Sequence, residues 1–152
     1  MYDEQRENYN CCILMASKLC KKEKLVCGML KCNVDASFSN VSNEVGIGIC
    51  IRDEEGQHIR SKTMWFTALC SVDIGEALGL YHAIRWIYDL QPTNVDFEVD
   101  SEKVAGYYNG LGRYITQFAL IMDCSMQLCS AQLTNSNVSL LGGKWMSCSW
   151  IS

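Results

Sequence analysis

A mixed α/β fold with elements in the order βββαβααβ follows from three patterns in the sequence. Cys32, Val34, Ala36 and Phe38 alternate with Asn33, Asp35 and Ser37, the period-two signature of a strand with one buried face. The same alternation recurs over residues 45–51 and 95–99. Between these runs, residues 73–90 repeat apolar side chains at helical spacing until Pro92 ends the pattern. A chain of 152 residues, 49% apolar and 20% charged, is long enough to bury one sizeable core.

Each element has its own signal. The first strand is centred on residues 32–38. In the second, Val45, Ile47, Ile49 and Ile51 share one face, and Gly46, Gly48 and Cys50 leave the other nearly bare. A ligand or another chain segment could approach closely there. Asp53-Glu54-Glu55-Gly56 is a turn, with Gly56 free to adopt positive φ. A third strand over 58–66 completes an antiparallel meander. Asp73 is placed as the cap of the long helix. A fourth strand covers 95–99. A short helix then starts at Asp100 or Ser101 and ends near Asn109-Gly110. A further helix spans 114–131, and a last strand 137–141. Residues 1–30 read as a leader or linker, with lysines 18, 21, 22 and 24 either solvated or touching phosphates.

Composition narrows the function classes. The formal charge of −4 advertises no global attraction to nucleic acid, so any such binding needs a local patch or bridging cations. No stretch reaches the roughly 20 apolar residues of a membrane span, and no secretory signal is evident. The expected location is intracellular, nuclear or cytoplasmic, with the ten cysteines reduced. Their spacings match no zinc module, and most are expected to act as small buried hydrophobes. No obligate protein partner is evident. His58 and His82 are expected at the surface.

Three acids stand where acids are expensive. Asp35 lies within the first strand, Glu76 on the apolar face of the long helix with Leu80, Ala83, Ile87 and Leu90, and Asp100 at the end of the fourth strand. Isolated buried carboxylates cost several kcal/mol unless paired or bound to metal. Each has an alternative explanation. Asp35 could protect an edge strand, Glu76 could satisfy N–H groups in the first helical turn, and Asp100 could be an N-cap. Taken together, acids from three separate elements suggest a divalent-cation site.

The runs Cys32-Asn33-Val34-Asp35-Ala36-Ser37-Phe38, Val45-Gly46-Ile47-Gly48-Ile49-Cys50-Ile51-Arg52-Asp53, Gly75-Glu76-Ala77-Leu78-Gly79-Leu80 and Val95-Asp96-Phe97-Glu98-Val99-Asp100-Ser101 together resemble the ribonuclease H-like domain. The closest variant is the plant form found in retroelement polyproteins and as stand-alone copies. The resemblance covers residues 31–141 and implies a five-stranded mixed sheet flanked by helices. It implies endonucleolytic hydrolysis of the RNA strand of an RNA–DNA hybrid, with two Mg2+ or Mn2+ ions about 4 Å apart. By motif, Asp35 would bridge both ions, and Glu76 and Asp100 would each hold one. Ser37, Gly46, Gly48 and Ser101 would lie along the nucleic acid. Recognition of this kind relies on minor-groove shape and 2′-hydroxyls more than on base sequence.

The resemblance ends at Leu141. The family continues with a helix carrying a fourth metal-site group, whereas residues 142–152 read as a tail outside the family. Loss of that helix implies an exposed apolar sheet surface and weakened hydrolysis. Two other functions therefore compete with the nuclease. One is a nucleic-acid-binding relic with little or no turnover. The other is a protein interaction domain in which the acids are only caps and edge charges. Magnesium or manganese binding, followed by cleavage of a labelled hybrid, discriminates among them.

Overall fold

The computed structural model describes residues 28–92, 94–110, 116–133 and 135–141. The expected leader through residue 27 and the tail from residue 142 lie outside the described residues. The elements follow the expected order: β1 (Leu30–Ser39), β2 (Glu44–Arg52), β3 (His58–Thr67), α1 (Val72–Leu90), β4 (Asn94–Val99), α2 (Glu102–Tyr108), α3 (Gln117–Gln132) and β5 (Asn135–Leu140). The five strands form one sheet in the order β3-β2-β1-β4-β5. β1, β2 and β3 are antiparallel neighbours, whereas β4 runs parallel to both β1 and β5. Among the described residues, no helix is long and apolar enough to cross a membrane.

The alternation in the sequence sorts directly onto the two faces of the sheet. Cys32, Val34, Ile47, Ile49, Ile51, Val95, Phe97, Val99 and Val138 are buried in one core with Ala77, Leu80, Ala83, Ile84 and Ile87 of α1 and Met122 of α3. Each large aliphatic or aromatic side chain so buried contributes about 1.5–3 kcal/mol. The opposite face carries Lys31, Asn33, Asp35 and Ser37 of β1 beside Asp96 and Glu98 of β4. Lys31 Nζ lies 2.6 Å from Glu98 Oε1, and Asn33 Nδ2 donates to Glu98 Oε2 at 2.7 Å. These residues alternate with the core residues, and the side chains they present are polar.

The ends of the elements also refine the expectations. Ser71, not Asp73, is the N-cap residue of α1. Asp73 sits in the first turn and is ion-paired with Lys103 of α2. Gln91 closes α1 in the left-handed conformation, with φ 52°, just before Pro92. The turn after β2 is as expected: Gly56 has φ 80°, and Asp53 Oδ1 accepts from the N–H groups of Glu55 and Gln57 at 2.9 and 2.8 Å. α3 starts after a Thr116 cap, later than residue 114, with Thr116 Oγ1 accepting from Ala119 N–H at 3.2 Å.

Candidate active site

Topology removes two of the alternative explanations for the acids. β1 is the central strand of the sheet, so Asp35 guards no edge. Ser101 is the N-cap of α2, its Oγ accepting from Val104 N–H at 3.3 Å, so Asp100 is not needed as a cap. Val34 pairs with Val99 in the parallel β1–β4 ladder. One residue further along each strand brings Asp35 and Asp100 side by side, where β4 ends. The end of a strand beside a crossover helix is where open α/β sheets place ligands.

Glu76 is delivered by close packing of α1 on the sheet. A Cβ at Gly75 would lie 2.3 Å from Phe38 Cε1, and one at Gly79 would lie 3.2 Å from Val34 Cγ1. These two glycines, one helical turn apart, let α1 settle directly onto β1, and Glu76 lies between them in the sequence. The carboxylate is half-buried. Among the described residues, no N–H group donates to it, so the third alternative explanation also lacks support.

Electrostatics ties the three acids together. Burial, followed by the charges of Asp100, Asp35 and Asp73, pushes the Glu76 carboxyl up to about 7. Burial and then the Asp100 charge also raise Asp35, partly offset by a hydrogen bond from the Ala36 backbone. Asp35 and Glu76 therefore sit in a field that disfavours their charge. Among the described residues, no group of three or more His, Cys, Asp or Glu side chains is arranged to hold an ion together. The arrangement is an open set of oxygen donors short of positive charge. That donor chemistry fits a hard divalent cation.

The other expected contact residues have definite places. Ser37 is exposed, and its Oγ donates to the carbonyl of Gly46 at 3.4 Å. Gly48 pairs with Asp35 across the β1–β2 ladder. Gly46 is buried, because the Trp65 indole lies over it: a Cβ there would be 2.4 Å from Trp65 Cζ3 and 2.6 Å from Ser37 Oγ. The bare glycine face is thus partly filled by the chain's own β3. His58 is exposed and 2.6 Å from Ser61 Oγ. His82 is not an open surface residue. Its ring lies 6.0 Å from Phe66 and 5.5 Å from Tyr81, and burial, then Arg85 and Lys62, lowers its pKa. Asp123 accepts from the Tyr107 hydroxyl at 3.1 Å, so it serves packing between α2 and α3.

Residues 33–141 match the reverse transcriptase-like family. The chain belongs to the reverse transcriptase-like family. Solved structures agree on its fold. RNase H1 from the halophilic archaeon Halobacterium salinarum is 11% identical, with a TM-score of 0.67 over 74% of this chain and 85% of that one. LC11-RNase H1, isolated from compost and solved with an RNA/DNA hybrid, is 15% identical, with a TM-score of 0.63 over 73% and 83%. The RNase H domain of prototype foamy virus is 14% identical, with a TM-score of 0.53 over 79% and 81%. A comparison with curated proteins gives no match. At these identities the likeness establishes the ribonuclease H-like fold, a five-stranded mixed sheet with helices. In this reverse transcriptase-like chain, Gly75, Gly79 and Trp65 emerge only with the structure. Their signal in the sequence was a pair of small residues flanking an acid, and a tryptophan between Met64 and Phe66 in β3.

Proposed function

We propose that this chain binds RNA–DNA hybrids and hydrolyses their RNA strand with divalent cations held by Asp35, Glu76 and Asp100. The observation that carries this reading is the convergence of the three acids. Two adjacent parallel strands and the N-terminal half of α1 bring the carboxylates together, and burial with the neighbouring charge of Asp100 raises the proton affinity of Asp35 and Glu76. Such an arrangement costs stability unless positive charge is supplied. A relative of the same fold has been solved with an RNA/DNA hybrid, which agrees with the substrate class.

Divalent cations bound there would activate water and stabilise the leaving oxygen. The chain's own residues do the rest. Asp35, on the central strand, is the acid placed to be shared. Glu76 and Asp100 flank it from α1 and the end of β4. With its carboxyl pushed up to about 7, Glu76 is partly protonated near neutrality, and a cation held there would favour loss of that proton. Ser37, next but one to Asp35 on the same face of β1, offers a hydroxyl to a backbone lying across that face. Ser101 holds α2 and, with it, the end of β4 that bears Asp100.

One observation favours a second reading, a nucleic-acid-binding domain with slow turnover. The carboxylates are not drawn into a ready ligand cage among the described residues. The experiment is incubation of the full chain with labelled RNA–DNA hybrid, duplex RNA and duplex DNA, with Mg2+, with Mn2+ and with chelator. The nuclease reading expects cleavage of the hybrid's RNA strand alone, abolished by chelator. Binding without cleavage under every condition supports the second reading. Equal cutting of duplex DNA, or cleavage in chelator, contradicts the first.

A further inference from the structure

Trp65 is 48% exposed, a large apolar surface left in water on a polar part of the sheet. Its neighbours across β2 and β1 are Gly46 and Ser37. The indole edge rests where a side chain at position 46 would stand, within 2.4 Å of a Cβ built on Gly46. Ser37 Oγ, hydrogen-bonded to the Gly46 carbonyl, borders the same spot. One side of the ring is thus seated on backbone and hydroxyl, and the rest faces solvent. Side chains two residues apart on a strand share a face, so Ser37 shares the face of Asp35, and the cross-strand register carries that face through Gly46 to Trp65.

We infer that Trp65 is a platform for the sugar face of a nucleic-acid strand lying across β1, β2 and β3 beside the carboxylates. The inference rests on the proposed function and extends it to a binding residue. Adjacent strands are about 4.8 Å apart and residues rise about 3.3 Å along a strand, so a site two strands over and two residues along lies about 12 Å from Asp35. A duplex advances about 3.4 Å per base pair, so Trp65 would meet the strand about three to four steps from the cut. Bases inside a duplex are already stacked, so the ring would meet pentose C–H groups, which the wide, shallow minor groove of an A-form helix displays. Aromatic residues that keep one apolar face and a fixed ring plane supply such contacts at small entropic cost. Gly46 contributes by absence, since any side chain there would lift the ring off the sheet.

The test uses the full chain and a fluorescein-labelled RNA–DNA hybrid of unmodified strands, with Ca2+ in place of Mg2+ so that binding is read without turnover. Binding is read by anisotropy, and Trp65 fluorescence as the difference between wild type and Trp65→Phe. The inference expects the Trp65 contribution to change on titration with hybrid. It expects Kd to rise about tenfold for Trp65→Ala, and Gly46→Ala, which retains the indole but displaces it, to weaken binding as well. Trp65→Phe should fall between wild type and Trp65→Ala. Hybrid binding with an unchanged Trp65 signal and an unchanged Kd for Trp65→Ala overturns this inference and leaves the proposed function standing. Failure of the wild type to bind any hybrid overturns the proposed function and this inference with it. Circular dichroism of each variant identifies folding loss, and the Trp65 fluorescence difference requires only that Trp65→Phe folds.

Discussion

Replacing Glu76 with Gln should make the metal-free protein more stable above neutral pH. Burial and the charges of Asp100, Asp35 and Asp73 raise this carboxyl from its ordinary 4.5 to about 7. Between those two pH values the folded chain holds a proton that the unfolded chain has released. Wild-type stability therefore falls as pH rises from 4.5 to 7 and is flat above. For a fully buried group the rise corresponds to about 3 kcal/mol. Glu76 is only half-buried, and solvent screening reduces the effect to about 1 kcal/mol. Glutamine keeps the shape and removes the charge. The variant should match wild type near pH 4 and exceed it by about 1 kcal/mol at pH 8, or roughly 4 °C in Tm. Thermal unfolding in chelator at several pH values measures this. Saturating Mg2+ should then stabilise wild type by mass action and leave the variant less changed. A variant no more stable than wild type at pH 8, or a gain that is the same at pH 4 and pH 8, would refute the coupling of Glu76 to its neighbours.

Three other outcomes follow from the packing. Gly75→Ala should destabilise the fold by about 1–2 kcal/mol, because its Cβ would lie 2.3 Å from Phe38 Cε1; denaturant titration checks this, and an Ala more stable than Gly would show that Phe38 yields freely. Ser101→Ala should cost about 1 kcal/mol through loss of the α2 cap, measured the same way. Cys32, fully buried with its thiol pushed up by that burial, should resist alkylation in the native state and react on unfolding, as mass spectrometry of the labelled chain would show.

The fold was legible in the sequence because its strands alternate cleanly. Val34, Ile47, Ile49, Val95, Phe97 and Val99 all lie on the face that the period-two pattern assigned to the core. Glu76 was legible for the same reason, as a charge on an apolar helical stripe. What stayed hidden depends on contacts between elements distant in sequence. That Asp35 lies on a central strand, and that Ser101 rather than Asp100 caps α2, required strand order and hydrogen bonds. His82 lay on the polar stripe by projection, yet the rings of Phe66 in β3 and Tyr81 lie against it. The seat of Trp65 on Gly46 joins positions 19 residues apart, which no local pattern encodes.

The most direct measurement of the central claim is hybrid cleavage by wild type beside Asp35→Asn, at equal concentration and with Mg2+ or Mn2+ present. Asp35 lies on the central strand and its charge acts on Glu76, and Asn preserves its shape while removing its negative oxygen. The account predicts metal-dependent loss of the RNA strand with wild type, and no cleavage but retained hybrid binding with Asp35→Asn. Equal cleavage by the two proteins would contradict it.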